Sequence, residues 1–133
     1  MQIRRITTRH EPVLLLDPQI DNAVELAMHL ELHGWPTLIA GRTSAAQAVI
    51  ARGRFTTLIM MADLDVASCL ELLDELRRTT ARCWMLVVSP RCDTKTCNLI
   101  YRHGGDACIT APVSIDDLTR RLTAFQSRAR PVL

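Results

Sequence analysis

The sequence predicts an α/β fold, a three-layer sandwich in which a parallel five-stranded sheet carries helices on both faces. Two observations lead there. Five short apolar runs (Val13–Leu16, Thr37–Ala40, Leu58–Met61, Trp84–Val88 and Ala107–Ile109) alternate with five segments of helical character. The runs are also apolar at consecutive positions, as strands covered on both faces are, and such strands belong to parallel sheets. Short connections complete a strand–helix repeat. In sheets of this kind ligands gather at the carboxyl ends of the strands. The residues there are Asp17, Met61 to Asp63, Ser89, and Thr110, Ala111 and Pro112.

Each element has a local reason. The first run stops at Asp17 and Pro18; proline suits the first turn of a helix, and Asp17 is placed to cap it. Ile20, Ala23, Val24, Ala27 and Leu30 recur at helical spacing to about Leu32, and Gly34 ends the helix. Pro36 opens the second run, where it need not donate a ladder bond. Thr43 or Ser44 caps a second helix reaching about Arg52, with Gly53 as its stop. After the third run a loop with Asp63 and Asp65 leads into a helix over about 67–78. Its core face is Leu70, Leu73 and Leu76, with Glu71, Asp74, Glu75 and Arg78 toward water. The fourth run ends at Ser89–Pro90. Asp93 or Thr94 then caps a helix to His103, stopped by Gly104–Gly105. Ser114 with Asp117 resembles a capping box, and Ile115, Leu118, Leu122 and Phe125 share one face of the last helix.

A chain of 133 residues, 48% hydrophobic and 23% charged, can fill one core and stay soluble. Residues 12–127 are expected to form the domain, between a flexible segment over 1–11 and a tail or linker over 128–133. A net charge of +2 from 16 basic and 14 acidic residues argues against a nucleic-acid groove. The terminal arginines Arg4, Arg5, Arg9, Arg128 and Arg130 read as solubilising ends. No apolar run spans a membrane and Met1 to Arg5 lacks the start of a secretion signal, so the cytoplasm is the expected address. Five cysteines, odd in number and irregular in spacing, are expected to be reduced thiols rather than a disulfide framework. Cys92 and Cys97 with His103 suggest a metal site, but their spacing is not that of a zinc pair. The four histidines (His10, His29, His33, His103) are scattered, without a base–nucleophile pairing, and the glycines form no phosphate loop.

Val13–Leu–Leu–Leu–Asp17, Leu70–Glu–Leu–Leu73 followed by Leu76, and Gly104–Gly–Asp–Ala–Cys–Ile–Thr–Ala–Pro112 occur in an order and spacing that resemble the receiver domains of two-component response regulators. The resemblance runs from Val13 to about Gln126 and implies a flavodoxin-like topology. It also implies a function: an aspartate ending the third strand accepts a phosphoryl group from a histidine kinase. Paired acids after the first strand hold Mg²⁺, helped by a backbone carbonyl. A Ser or Thr after the fourth strand and a Lys before a Pro after the fifth contact the phosphoryl oxygens. Such chemistry needs concentrated oxygen ligands for Mg²⁺ and positive charge against the transferred group.

The match breaks at the working residues. Asp17 fits the first acid, but Pro18 fills the second slot. An ungapped register puts Met61 in the acceptor position, and a thioether is neither phosphorylated nor a good Mg²⁺ ligand. Ser89 keeps the hydroxyl and Pro112 the proline, while Ala111 replaces the lysine. Cys108 fills the aromatic position that switches rotamer in relatives. The expectation is therefore a degenerate, or pseudo-receiver, domain. It would be no enzyme and need no cofactor, and it would work by association with a protein partner or a second copy. By resemblance the association face is the fourth helix, fifth strand and fifth helix, with Asn98, Tyr101, Arg102, Asp106, Asp117, Arg120 and Arg121. An output domain, often a DNA-binding one, follows this segment in relatives. The alternative is a working phosphoacceptor that uses Asp63, two residues beyond Met61, with Mg²⁺ on Asp17 and Asp63. A small flavodoxin-like enzyme is a third reading, which lacks a catalytic constellation.

Overall fold

The computed structural model describes residues 10–52, 55–62, 66–79 and 83–128. Asp63, most of the segment over 1–11, and the tail from residue 129 onward lie outside the described residues. The elements run β1 (Val13–Leu16), α1 (Ile20–Leu32), β2 (Thr37–Ala40), α2 (Thr43–Ala51), β3 (Thr57–Met61), α3 (Val66–Thr79), β4 (Trp84–Ser89), α4 (Thr94–Arg102), β5 (Ala107–Thr110) and α5 (Ile115–Gln126). The strands form one sheet in the order β2-β1-β3-β4-β5, with every pair parallel. The order reverses between β1 and β3, so a crevice opens at their carboxyl ends.

Alternate residues of each strand feed opposite layers. Leu14, Leu16, Leu58, Met60, Met85 and Val87 pack toward Ala46 and Ile50 of α2, Leu72, Leu73 and Leu76 of α3, and Ile100 of α4. Val13, Leu15, Ile59, Leu86, Val88 and Ile109 pack toward Ala23, Ala27 and Leu30 of α1 and Leu118, Leu122 and Phe125 of α5. Trp84 stacks on Phe125 at 4.7 Å between ring centroids. His10 is anchored rather than loose: its ring stacks on Trp35 at 3.8 Å, and its Nδ1 lies 3.0 Å from Gln126 Oε1.

Several helix details depart from the sequence reading. α1 starts at Ile20, two residues later than the Asp17–Pro18 start, and Gln19 at its N-cap makes no side-chain cap bond. Its buried face is Ala23, Ala27 and Leu30 alone, while Ile20, Val24, Met28 and Leu32 are exposed; Leu38 of β2 is exposed too, on the other face of the sheet. α1 packs near the β2 edge of the sheet, which covers a narrower stripe than the apolar periodicity spans. α2 begins after Arg42, again without a side-chain cap, so neither Thr43 nor Ser44 caps it. α3 is rotated from the expected face: Cys69, Leu72, Leu73 and Leu76 are buried and Leu70 is half-buried. Asp93 and Ser114 do cap α4 and α5, accepting from Thr96 N and Asp117 N. The capping box of α5 is only half made, because the Asp117 carboxylate pairs instead with Arg120 at 2.8 Å.

The rotation of α3 aims Arg77 inward. Its Nη2 meets Asp106 Oδ2 at 2.7 Å and donates to Gly104 O at 2.7 Å, and its Nη1 donates to Cys83 O at 2.8 Å. Asp106 Oδ2 also accepts from Met85 N. One guanidinium fork thus joins the end of α3, the start of β4 and the α4–β5 turn, a geometry a lysine could not reproduce. Gly104 at φ +107 leaves room for it: a Cβ there would come 2.5 Å from Arg77 Cγ. The sequence reading placed Asp106 on the association face; here it is partly buried, and its carboxylate is taken up by Arg77 and by Met85 N. Arg77→Met keeps the apolar stem but leaves Asp106 and two carbonyls without the guanidinium, and is expected to lower unfolding free energy by about 3 kcal/mol in urea titrations. Arg120→Ala, at an exposed pair, is expected to cost about 0.5 kcal/mol or less.

Candidate functional site

The strand registers align Leu16 with Met60, Met61 with Val88, and Ser89 with Thr110. The sequence-predicted pocket residues therefore share one edge of the sheet. Asp17 is 2% exposed; its N–H donates to Ala40 O, and its Oδ1 accepts from Gln19 N at 2.9 Å. It closes a turn after β1 rather than capping α1, and Pro18 beside it is exposed. β3 runs to Met61 without a bulge, and Ala62 N continues the ladder to Val88 O at 2.8 Å. Met61 is half-buried against the α1/α5 layer. Met60 points the other way and accepts the Cys69 thiol at 3.3 Å. Leu16, Gly41, Met60, Met61, Cys69 and Leu72 help wall a recess of about 70 Å³ at this mouth. Its lining is mainly apolar, and Arg42 brings the one charged side chain among the described residues that line it.

Ser89 is 3% exposed, and its hydroxyl donates to Arg91 O at 3.0 Å while accepting from Arg91 N. That is a serine turn at the start of the β4–α4 loop. Ala111 donates its N–H to Ser89 O, and the Ala111–Pro112 peptide is cis. Asp17, Met61, Ser89 and Ala111 thus stand together, and Asp63 lies outside the described residues.

The cysteines correct the expectation of reduced thiols. Cys92, before α4, is disulfide-bonded to Cys108 on β5. Cys97, in α4, sits beside them, so that the three sulfurs lie within 4.8 Å of one another. His103 does not join them: its Nδ1 bonds Asp74 at 2.8 Å. The sequence signal for this cluster was weak because close-pair spacing rules look along the chain, whereas β5 meets α4 across 16 residues of separation. Of the expected association face, Asn98, Tyr101, Arg102, Asp117, Arg120 and Arg121 are exposed.

No family model matches the sequence. A curated relative, "Probable transcriptional regulatory protein TcrX" of Mycobacterium tuberculosis, is 28% identical over 126 residues. The match covers 95% of this chain but 54% of TcrX, so the chain spans about half the length of that relative. Among solved structures, a CheY-like response regulator receiver domain protein from Methanospirillum hungatei matches with a TM-score of 0.79 at 20% identity, over 88% of this chain and 94% of that one. The chain has the fold of a response-regulator receiver domain. Orphan receivers share it. An orphan response regulator of H. pylori matches with a TM-score of 0.77 at 16% identity, over 90% of this chain and 99% of its own. An atypical orphan response regulator, described as revealing a phosphorylation-independent regulatory mechanism, matches at 0.76 and 16% identity over the same shares. Among the described residues, no helix is long and apolar enough to cross a membrane.

On this receiver fold the β4–α4 loop is held by Asp93, whose Oδ1 accepts from Thr96 N at 2.8 Å. The hydrogen bonds from Thr96 hold the Asp93 carboxyl below its ordinary value of 3.8, with smaller help from the charges of Arg91 and Lys95. A carboxyl depressed by folding stabilises the folded chain at pH above its unfolded value, and the contribution is lost as pH falls through the folded value. The Thr96 amide shift in NMR is expected to titrate with a midpoint below 3.8. Asp93→Ala is expected to erase that titration and fray the start of α4.

Proposed function

We propose that this chain is a cytoplasmic signalling module that keeps the receiver fold, has lost phosphoryl transfer, and acts by protein–protein association to control an output, a transcriptional one. The observation that carries the reading is Met61 at the mouth of the central strand. Acceptance of a phosphoryl group needs a carboxylate nucleophile there, oxygen ligands to hold Mg²⁺, and a cation against the transferred charge. Among the described residues the mouth offers two thioethers and one carboxylate, Asp17, which already accepts from Gln19. Ala111 cannot supply the cation. Without metal and lysine, most of the electrostatic stabilisation of such a transfer is gone. Likeness to an atypical orphan regulator described as phosphorylation-independent supports the same direction. The greater length of TcrX, a transcriptional regulator by its description, supports an attached output.

For association we assign the exposed residues of α4 and α5: Asn98, Tyr101, Arg102, Asp117, Arg120 and Arg121. Both signs of charge occur on this face, which suits self-complementary pairing across a two-fold axis. Such charges set partner choice more than strength, and Tyr101, 48% exposed, is the aromatic contact. Tyr101→Ala combined with Arg121→Glu is expected to weaken self-association in sedimentation equilibrium by about tenfold or more, equivalent to ~1.4 kcal/mol.

Titration of the full chain with beryllofluoride and Mg²⁺, followed by NMR, tests the loss of phosphoryl chemistry. No saturable shift is expected, and no acyl phosphate after incubation with a small phosphodonor. A saturable shift that disappears in Asp63→Ala would overturn the reading and establish Asp63 as an acceptor.

A further inference from the structure

Three of the five cysteines meet where no part of the receiver pocket uses them. The other two are of a different kind. Cys69 is buried and hydrogen-bonded to Met60, and burial pushes its thiol up to about 11. Cys83 is 1% exposed. By contrast Cys92 and Cys97 are half-buried, and Cys108, 8% exposed, lies against them. Small oxidants can therefore reach this group. Disulfides in a reducing compartment are mostly transient and serve catalysis or sensing. A disulfide with a third thiol in reach fits that use, because the third thiol can move the bond.

We propose that Cys92, Cys97 and Cys108 form a thiol modification site for a hydroperoxide, in which oxidation joins the β4–α4 loop to β5 and a low-molecular-weight thiol releases it. The thiolate of Cys92 attacks one peroxide oxygen. An S–O bond forms, the O–O bond breaks, and the departing oxygen takes a proton to leave as alcohol or water. The thiolate of Cys108 then attacks the sulfenic sulfur. An S–S bond forms, the S–O bond breaks, and hydroxide leaves as water. Two thiols have lost two protons and two electrons, and the peroxide has gained them. Cys97 exchanges without net oxidation: its thiolate attacks Cys92 Sγ, one S–S bond forms as another breaks, and Cys108 leaves as thiolate. A three-thiolate set would also suit a soft metal ion. Among the described residues no histidine or carboxylate completes it, and the paired state of two of the sulfurs favours redox use. The proposal does not depend on whether the receiver pocket accepts phosphate.

Trypsin tests it on the native chain, since cleavage after Arg54, Arg82, Arg91, Lys95 and Arg102 puts each cysteine on its own peptide. Reduced protein, alkylated in denaturant, is expected to show all five thiols. After one equivalent of hydrogen peroxide, three are expected, with the Cys92 peptide joined to that of Cys108, and a monothiol is expected to restore five. In Cys97→Ser the same bond is expected to form, but to be released several-fold more slowly. Release at the wild-type rate would overturn the role of Cys97. The whole proposal falls if peroxide leaves all five thiols alkylatable, or oxidises Cys69 or Cys83 first. It also falls if the reduced protein binds one Zn²⁺ or Cu⁺ that shields the three thiols while no disulfide forms.

Discussion

The inner strands β1, β3 and β4 are covered on both faces, and that constraint decides where chemistry is possible. Leu14, Leu15, Leu58, Ile59, Met85 and Leu86 have no exposed surface. Burying each such side chain stabilises the fold by roughly 1.5–3 kcal/mol, while a polar group placed among them without a partner costs a comparable amount or more. Polar residues are therefore driven to the strand ends and to the outer faces of the helices. Arg77 and Asp106 are partly buried at the ends of α3 and of the α4–β5 turn, where the guanidinium fork, two carbonyls and a backbone N–H satisfy one another.

The receiver-like residues that remain at the mouth of the sheet have a second use, and those replaced do not. Asp17 closes the turn after β1 and Ser89 closes the turn after β4. Removing either would leave a backbone group without its partner. An acceptor carboxylate, a second acid and a lysine serve only the transfer and the metal. Once a chain no longer relies on that chemistry, uncompensated carboxylates at a mouth walled by Leu16, Met60 and Leu72 are an electrostatic cost. Met61 and Pro18 bring no charge there. For Asp17 and Ser89 the second use is local backbone hydrogen bonding.

The sheet and the order of elements were legible in the chain because consecutive apolar residues with short connections leave few alternatives to a parallel sheet. All five strands lie on the apolar runs: β1 and β2 match them, and β3, β4 and β5 each extend one residue further at one end. Which residues stand at the mouth of the sheet was legible too, since the ends of the strands fix Asp17, Met61, Ser89 and Ala111 there. What escaped was contact at long sequence separation. Arg77 and Asp106 are 29 residues apart, and each reads as an ordinary surface charge on its own helix or turn. Cys92 and Cys108 look unrelated until β5 and α4 are placed side by side. The exposed face of α1 escaped for another reason. Periodicity reports that Ile20 and Val24 share a stripe with Ala23 and Ala27, but only the position of α1 near the sheet's β2 edge decides how much of that stripe is covered.

The same two long-range contacts bear on how α4 is mounted. At its carboxyl end the helix runs into Gly104, whose carbonyl Arg77 holds from α3. This end is fixed by charge and hydrogen bonds that ordinary redox conditions do not alter. At its amino end the helix is held by the Asp93 cap and by Cys92, which reaches across to β5. A covalent tie at that end adds to a cap that is exposed and weak by itself. The association surface we assign includes Asn98, Tyr101 and Arg102 along this one helix. A helix fixed at its far end and conditionally tied at its near end can change the placement of that surface with little disturbance to the sheet. Redox state and association would then be coupled through α4, because the only free energy available for coupling is the difference the tie makes between its two placements.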